Sequence, residues 1–568
     1  MTAGETLQLP NDPILTALLR AAQRASASDI FIHDVLGFDK TYEQLLGDVS
    51  RTRHVLLSRL PPLSTDDRGI LCADVRNIAV LTRSAYEILV AFFSCRAIGA
   101  VFVPLASGVF PEEAQYILSK AKATLLLVGR ERVDKAEAIR AHIDEHDKSP
   151  GSLTLLPISC DASPLSIAHA CIDEAAQVDP NGPGLIMFTS GTTGRLKGVV
   201  LPRRCYAEAV LAELGSVTIS HRPAIWVGGL RDIIVPAVTG IKLFALGEMA
   251  SAAQVLHAFA QHRITHAAFS PPILRQMKDL LTSRCGEISE EERAKWHGRF
   301  KPLGAIRCSA SVLEPSAIQF WTHLTGLPFE NMYGATELGC IAIRGTQTMQ
   351  GSIGVPTPGV KVKLSEGSKG EISIKCPTMF LRYLDDEDLT SAALDENGYF
   401  KTGDLAELKD GEYLFRGRAI SDFILCHILR IPIVDVESSL MDLPYIAEAC
   451  VIGVPNYTTI QLCGALVRLK KHTQQQITLA RIRSDLSASL PLYMLPCVLR
   501  LLKEGEHLPR THSGKLIKKD ILKEYFGNAD GLPTSGVSPD INVEQCAWPN
   551  LVWEGSKPWD GGGLQRDT

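Results

Sequence analysis

The amino-acid sequence predicts an α/β protein. It consists of a large multi-layer N-terminal domain with a small β subdomain, followed by a small, mobile α+β C-terminal domain. Three observations predict this fold class. The 568 residues are enough for roughly two to four domains. Helical and strand-like segments alternate through roughly the first 400 residues, with short alternating strands between residues 360 and 415. A compact run of strands and helices follows Gly417.

The first part of the chain alternates helical and apolar strand-like segments, which predicts a sheet covered by helices. Pro111 is followed by two glutamates, a typical helix start. The helical segments are 86–96, one that begins at Pro111, and 252–262. The apolar strand-like segments are 101–103, 124–128 and 265–269.

The second part of the chain predicts the remaining units. Turn sequences at 366–370, 395–398 and 409–411 separate the short strands of the β subdomain. The α+β unit has predicted strands at 450–454, 465–469 and 498–502 and predicted helices at 479–490 and 516–526. We therefore predict domains at 1–416 and 417–526. The residues 527–568, rich in Gly, Pro, Asn and Asp, are predicted to form a loosely attached tail.

Composition narrows the function class. The net charge of −5 offers no general attraction to nucleic acid, and no apolar stretch approaches the ~20 residues of a membrane span. The first residues lack the basic start and apolar core of a secretory signal. The 14 cysteines include no CxxC pair, which predicts reduced thiols rather than a zinc site. We therefore expect a cytoplasmic enzyme that binds no nucleic acid and does not span a membrane.

The strongest chemical signal is a segment rich in glycine and hydroxyl groups between the apolar runs 184–187 and 199–201. Such a loop can turn several N–H and O–H donors toward one anion, and a lysine adds positive charge. The segment differs from the P-loop pattern, because a glycine rather than Ser or Thr follows its lysine. The residues predicted to hold phosphate are Thr189, Ser190, Gly191, Thr192, Thr193, Gly194 and Lys197.

This segment, residues 188–198, resembles the phosphate-binding loop of the adenylate-forming superfamily, which contains acyl-CoA synthetases, adenylation domains and luciferases. Further resemblances follow in the superfamily's order at 331–337, 399–405, 415–418 and 508–515. The nearest resemblance is to the malonyl-CoA synthetase-like branch. It implies that ATP, with Mg²⁺, converts a small-molecule carboxylic acid to an acyl-adenylate, and that a thiol, most often CoA, then displaces AMP.

The resemblance also implies roles for individual residues. Lys515 would act in catalysis from a flexible turn, together with Thr336 at the α-phosphate and Glu337 as a ligand of Mg²⁺. Tyr333 would face adenine, and Asp404 and Arg418 would bind the ribose. The acid pocket would be lined by Trp226, Gly228, Gln276, Ser309 and Met332.

Several positions depart from the branch. Met332 stands where an arginine is typical, and Arg275 is only adjacent to the helical position, near Gln276, of the arginine that meets a second carboxylate. These departures argue against a malonate pocket. Trp226 replaces a histidine and Ser309 a glycine, which predicts a narrower cavity.

The thiol acceptor is the point on which alternatives stay open. The family's Lys-x-Gly-Gly sequence, which lets a hairpin approach the pantetheine of CoA, is here Leu425-Cys426-His427-Ile428. A β-branched residue disfavours positive φ and close approach. The alternatives are an enzyme that loads a carrier-protein pantetheine and a degenerate nucleotide-binding protein.

Overall fold

The computed structural model describes most of the chain. The described residues are 6–60, 64–71, 77–146, 153–190, 196–207, 211–248, 250–282, 288–309, 313–346, 349, 351–418, 423–426, 429–456, 460–471, 473, 476–487, 489–510, 516–526 and 543–546.

The large N-terminal domain combines layers of helix with several sheets. Its first half contains β1 (Leu7–Asn11), α1 (Pro13–Arg24), β2 (Ile32–Asp34), β3 (Phe38–Lys40), α2 (Tyr42–Leu57), β4 (Asn77–Leu81), α3 (Ala85–Ala97), β5 (Val101–Pro104), α4 (Pro111–Lys120), β6 (Leu125–Val128), α5 (Val133–His146), β7 (Thr154–Pro157), β8 (Ala170–Gln177), β9 (Pro183–Ser190) and β10 (Leu196–Pro202). Its second half contains β11 (Val217–Ser220), α6 (Val227–Thr239), β12 (Lys242–Ala245), α7 (Ala252–Gln261), α8 (Pro271–Leu281), α9 (Glu290–Phe300), β13 (Ile306–Ser309), α10 (Pro315–Thr325), β14 (Phe329–Tyr333), β15 (Ile343–Thr346), β16 (Ser352–Pro356), β17 (Lys361–Glu366), β18 (Lys369–Lys375), β19 (Arg382–Tyr383), α11 (Glu387–Ala393), β20 (Phe400–Lys409) and β21 (Glu412–Arg418).

The smaller C-terminal domain is an α+β unit. It contains β22 (Phe423–Cys426), β23 (Leu429–Pro432), α12 (Ile433–Met441), β24 (Ile446–Asn456), β25 (Ile460–Leu469), α13 (Leu479–Leu486), β26 (Val498–Leu501), α14 (Lys518–Phe526) and β27 (Val543–Gln545). The large and small domains together confirm the predicted α/β fold class.

A seven-stranded sheet in the order β19-β10-β9-β5-β4-β6-β7 supports the predicted phosphate-binding segment. Its central strands are parallel, and β10 returns antiparallel to β9. Every residue of α3 is buried, including Arg96, which pairs with the buried Asp12 at 2.8 Å. Because α3 is apolar on all sides, it lies in the interior rather than at the surface.

One predicted strand is wrong. Residues 265–269 form no strand, and only single bridges join His266 to Thr218 and Phe269 to Cys308. The side chains of Ile264, Ala267 and Phe269 are nevertheless buried. The apolar run therefore indicates that these residues are buried, not that they pair as a β-strand. Hydrophobic periodicity alone does not distinguish the two.

The predicted β subdomain shares its sheet with other parts of the N-terminal domain. Strands β17, β18, β20 and β21 continue through β16 and β15 to β14 and β13 in one eight-stranded sheet. This sheet includes both Tyr333 on β14 and Asp404 on β20. Two sequence segments far apart in the chain are thus held by one hydrogen-bonded scaffold.

The C-terminal unit differs in detail from the prediction. Helix α13 ends at Leu486 rather than residue 490, since Pro491 and a 3₁₀ turn at Leu492–Met494 follow. Strand β27 adds antiparallel to β26, and the amide of Leu479 donates to Glu544 at 2.6 Å. This segment of the predicted tail is docked rather than loosely attached.

No helix within the described residues combines the length and apolar character needed to cross a bilayer.

Candidate active site

The phosphate-binding segment is flanked by two strands, as predicted. In the antiparallel pair of β9 and β10, Thr189 lies opposite Lys197 and Ser190 lies opposite Leu196. Gly191, Thr192, Thr193 and Gly194 fall outside the described residues. The paired strands therefore fix the residues at the two ends of the segment.

Thr336 and Glu337 lie on a short 3₁₀ turn, Thr336–Leu338, directly after β14. Gly339 ends the turn with φ of 63°, a conformation that favours glycine. The hydroxyl of Thr378 donates to the carbonyl of Leu338 at 2.8 Å. The amide of Phe380 donates to the carbonyl of Glu337 at 2.7 Å. These bonds hold the turn against the chain segment that leads to β19.

Tyr383 connects this turn to the phosphate-binding segment. Its hydroxyl donates to Oε1 of Glu337 at 2.9 Å, and the ammonium of Lys197 lies 5.7 Å from the centre of its ring. Burial raises the pKa of Tyr383, and the neighbouring Glu337 carboxylate raises it further. The phenol therefore stays protonated and acts as a donor, which fixes one oxygen of Glu337.

Tyr333 and Asp404 are also in direct contact. The hydroxyl of Tyr333 donates to Oδ2 of the buried Asp404 at 2.6 Å. Gly403, directly before Asp404, has φ of 73°, and its amide donates to Glu371 at 2.9 Å. The left-handed conformation favours glycine there, because L side chains are strained at such φ. The ring of Tyr333 and the carboxylate of Asp404 thus form one surface.

Arg418 and Lys515 are the two remaining residues with a predicted role in ATP binding or catalysis. Arg418 ends β21 in register with Asp404 on β20, which brings the two backbones side by side. Lys515 falls outside the described residues. An antiparallel bridge joins Arg510 to Leu516, the described residues on either side of its segment.

Two predicted pocket residues lie side by side. Ser309 ends β13 and Met332 lies on β14, and the two residues are partners in the parallel register. Met332 is buried. The Ser309 hydroxyl accepts a hydrogen bond from Nη1 of Arg222 at 2.8 Å. A serine in place of a glycine therefore has a structural partner.

The other predicted pocket residues divide into two groups. Gly228 lies on α6, where an added Cβ would meet the guanidinium of Arg222 at 3.1 Å. Trp226 is the N-cap of the same helix, and its buried Nε1 has no hydrogen-bond partner among the described residues. Gln276 lies on α8 with an exposed side chain, and the described contacts join it to none of the others. The structure therefore brings Gln276 to no contact with the predicted pocket residues.

Arg275, the neighbour of Gln276, is already paired. Its Nη2 lies 2.6 Å from Glu314, and its Nε donates to the same carboxylate at 2.8 Å. Glu314 is buried, so the pair is held within the domain. This arginine is therefore neutralised, which agrees with the argument against a second carboxylate in the substrate.

The sequence analysis missed three residues of this site: Tyr383, Arg222 and Asp232. Tyr383 gave a signal, because it closes the apolar segment after Cys376. Arg222 gave only a weak signal, as a charged residue between the strand-like residues 217–220 and the apolar residues 224–227. Nothing in the sequence indicated that Asp232 on α6 receives Nε of Arg222 at 2.7 Å.

The comparisons with known proteins identify the family. The family model described as "AMP-binding enzyme" matches residues 19–384, and the model of the AMP-binding enzyme C-terminal domain matches residues 435–515. The chain belongs to the AMP-binding enzyme family. The first match alone spans more than half of the chain, and the two matches follow in the order of the two domains described above.

Relatives of this AMP-binding enzyme are ligases. The acyl-CoA ligase oryP of Aspergillus oryzae is 31% identical, over 91% of this chain and 93% of the relative. A mitochondrial malonate–CoA ligase of Mus musculus is 25% identical, over 79% of this chain and 82% of the relative. The structure of ATP-bound MatB from Rhodopseudomonas palustris covers 90% of this chain and 99% of its own, with a TM-score of 0.70 and 21% identity. The predicted enzyme class, an AMP-forming acid–thiol ligase, is confirmed by the family and these ligases.

Proposed function

We propose that this enzyme activates a carboxylic acid with ATP and transfers the acyl group to CoA. A carboxylate oxygen attacks the α-phosphorus, and the bond to the β-phosphate oxygen breaks to release pyrophosphate. The thiolate of CoA then attacks the acyl carbonyl, and AMP leaves. The observation that best supports this proposal is that Lys197 and Glu337 both contact the side chain of Tyr383.

That arrangement suits a bound triphosphate. Lys197 supplies a positive charge at the edge of the sheet where the hydroxyl-rich segment lies. Glu337 supplies a carboxylate at the turn that follows β14. A polyanion between them would be neutralised by the ammonium on one side and by a metal ion held on the other.

The donor set fits Mg²⁺. Mg²⁺ is usually held by one or two carboxylates together with substrate phosphates and water. Tyr383 occupies Oε1 of Glu337, and the described residues give Oε2 no partner. The described residues contain no group of three or more metal-ligating side chains. We therefore propose Glu337 as the protein ligand, with the triphosphate supplying other oxygens, and the metal would neutralise phosphate charge.

The nucleoside would be bound at the second tyrosine–carboxylate contact. Asp404 would accept from the ribose hydroxyls, and Arg418, its partner in the register on the neighbouring strand, would reach the same sugar. The ring of Tyr333 offers a flat face for adenine. Thr336, on the turn between these two groups, would donate to the α-phosphate, and Lys515 would stabilise the transition state there.

The proposed acid lies against Ser309, Met332, Trp226 and Gly228. CoA is the favoured acceptor, because the relatives are named as CoA ligases. A carrier-protein pantetheine is the second candidate, favoured by the loss of the family's paired glycines at His427 and Ile428. We also propose a cytoplasmic location, which fractionation of cells that produce the tagged protein would test.

The test of the proposed function is acid-dependent exchange of labelled pyrophosphate into ATP, followed by a thiol assay. A panel of mono-, di- and tricarboxylic, fatty and aryl acids should include at least one that supports exchange. CoA should then yield an acyl-thioester and AMP in equal amounts. If none of the acids supports exchange, adenylation is contradicted. If an acid supports exchange but CoA yields no thioester, a carrier protein is favoured as the acceptor.

A further inference from the structure

Arg222 is an unusual residue for the centre of a domain. Only 10% of its side chain is exposed, and its ion-pair partner Asp232 is exposed to 12%. It follows β11 in the chain and reaches across to α6 and β13. A buried arginine is costly unless its donors are satisfied, so the use of each donor is informative.

The guanidinium makes three hydrogen bonds and one further ion-pair contact within the protein. Nε and Nη2 each lie 2.7 Å from Oδ2 of Asp232. Nη2 also donates to the carbonyl of Gly228 at 3.3 Å, and Nη1 donates to Ser309 at 2.8 Å. Since a guanidinium has five N–H donors, one hydrogen on Nη1 has no acceptor among the described residues.

Ser309 contributes a second donor at the same place. Its oxygen accepts from Nη1, so its own hydroxyl hydrogen remains to be donated. The described residues provide no acceptor for that hydrogen. Two donors 2.8 Å apart can both point to one oxygen atom, and a carbonyl oxygen has two lone pairs to receive them.

The charge at this place favours a neutral acceptor over a second carboxylate. Asp232 compensates Arg222, so the pair carries no net charge. The neighbouring His221 adds none, because burial lowers its pKa and its Nε2 is bound to the carbonyl of Ala268 at 3.0 Å. A second carboxylate would therefore add an uncompensated charge to a largely buried site.

A small cavity of about 10 Å³ lies on another side of Arg222. Much of the cavity lining is apolar, and its charged groups besides Arg222 are Arg83 and Glu248. Arg83 is exposed, and Glu248 accepts a hydrogen bond from the hydroxyl of Ser107. The apolar lining residues are Ala85, Ile88, Ala224, Ile233 and Ala245. A cavity of this volume has room for about one water molecule and none for a substrate chain.

We propose that Arg222 and Ser309 form a two-donor site that selects monocarboxylic acids with a neutral carbonyl oxygen in the acyl chain. Arg222 and Ser309 are then specificity-determining residues, and Asp232 is a positioning residue that fixes the guanidinium. The inference rests on the proposed function, since it assigns Ser309 and Gly228 to the acid pocket of the adenylating enzyme.

The test compares acids of equal chain length. The probes are hexanoate, 3-, 4- and 5-oxohexanoate, and adipate, each measured by kcat/KM in pyrophosphate release. For the wild-type enzyme we expect at least one oxo acid to exceed hexanoate by about tenfold or more, because a site built to bind an oxygen rejects an analogue that lacks it. Adipate should fall below that oxo acid.

Variants locate the preference. Ser309→Ala removes one donor, and the double variant Arg222→Met/Asp232→Leu replaces the whole ion pair without leaving a buried charge. Each should lower the ratio of oxo acid to hexanoate by about fivefold or more, with the KM for ATP unchanged. The control Arg307→Met/Glu330→Leu removes another ion pair of the N-terminal domain, with atoms 3.0 Å apart on β13 and β14, and should keep the wild-type ratio.

The outcomes separate the two proposals. The two-donor site is overturned if some acids are adenylated but the ratio of kcat/KM for the oxo acid to that for hexanoate is the same in both variants as in the wild type. That result would leave the adenylation function intact. A wild-type enzyme that favours hexanoate or adipate over every oxo acid would also overturn it. If no acid in the panel is a substrate, both the proposed function and this inference are contradicted. Binding of ATP by the variants would show that they are folded.

Discussion

At the scale of single residues, each of the two candidate carboxylates is held by a tyrosine hydroxyl. Tyr383 donates to Glu337, and Tyr333 donates to Asp404. A charge-assisted hydrogen bond of this kind fixes the carboxylate orientation before a ligand arrives. If Glu337 binds magnesium and Asp404 binds ribose, as we propose, each carboxylate is already oriented and less ordering has to occur on binding.

Replacing Asp404 by alanine should weaken ATP binding. Ribose contacts are made in both the ground state and the transition state, so their loss raises KM more than it lowers kcat. We expect KM for ATP to rise by about tenfold or more, measured by steady-state pyrophosphate release.

Tyr333→Phe is the matched control, because it removes the 2.6 Å contact with Asp404 but leaves the carboxylate. Its KM for ATP should change much less than that of Asp404→Ala. An unchanged KM with a reduced kcat in Asp404→Ala would remove this carboxylate from the ribose site.

Replacing Lys515 by alanine should reduce adenylation and leave ATP binding largely intact. The ammonium is proposed to stabilise the transition-state oxygens and to add little in the ground state. Losing such an interaction should lower kcat by about 10²–10³-fold, or roughly 3–4 kcal/mol. Lys519→Ala, which changes an exposed lysine on α14, should behave as the wild type. A Lys515 variant within fivefold of wild type in acid-dependent exchange would exclude the lysine from the first step.

At the scale of elements, the hairpin of β22 and β23 carries the departure from the family. Cys426 pairs with Leu429, and the two residues between them in the sequence, His427 and Ile428, fall outside the described residues. Two-residue hairpin connections favour residues that accept positive φ, above all glycine and asparagine. Ile428 is unsuited to that requirement, since its side chain is β-branched.

Restoring both glycines, as His427→Gly/Ile428→Gly, should increase the CoA-dependent rate. Pyrophosphate exchange should stay unchanged, because the hairpin is proposed to face the adenylate only after the C-terminal domain moves. The measurement is thioester formation in single turnover from preformed acyl-adenylate. His427→Ala/Ile428→Ala removes side-chain bulk without the freedom of glycine and should give a smaller gain. If the wild type already transfers to CoA as fast as it forms the adenylate, the segment does not limit the acceptor step.

At the scale of the whole molecule, a segment late in the sequence completes the C-terminal domain. Strand β27 pairs with β26 over three residue pairs, and the amide of Cys546 donates to the carbonyl of Cys497 at 2.9 Å. Glu544 also accepts from the amide at the start of α13. This strand covers an edge that would otherwise expose unpaired backbone groups.

Truncation should reveal that contribution. A chain that ends at residue 526 should lose about 1–2 kcal/mol in the C-terminal domain, given the hydrogen bonds removed. In a domain of ~100 residues this corresponds to a fall in Tm of roughly 4–8 °C per kcal/mol. A chain that ends at residue 546 retains β27 and should melt like the full chain. Equal melting of the two shortened chains would show that the strand adds no stability.

Features that depend on local pattern could be predicted from the amino-acid sequence. The helix predicted at 86–96 is α3, and the segments predicted around the phosphate loop are β9 and β10. The order of the motifs also indicated the family, because several short segments in a fixed order are specific even without knowledge of their contacts. The end of α13 and the strand at 265–269 were predicted wrongly, the latter because burial and strand pairing give the same hydrophobic signal.

The contacts between side chains that are distant in the sequence could not be predicted in this way. Tyr383 reaches Glu337 across 46 residues of sequence, and Arg222 reaches Ser309 across 87. Such contacts depend on how sheets and helices pack, and a single sequence carries no periodic signal for them. The exposed side chain of Gln276 and the docked strand β27 have the same explanation. Local chemistry thus specified the reaction, whereas packing between distant segments placed the polar groups that we propose select the acid.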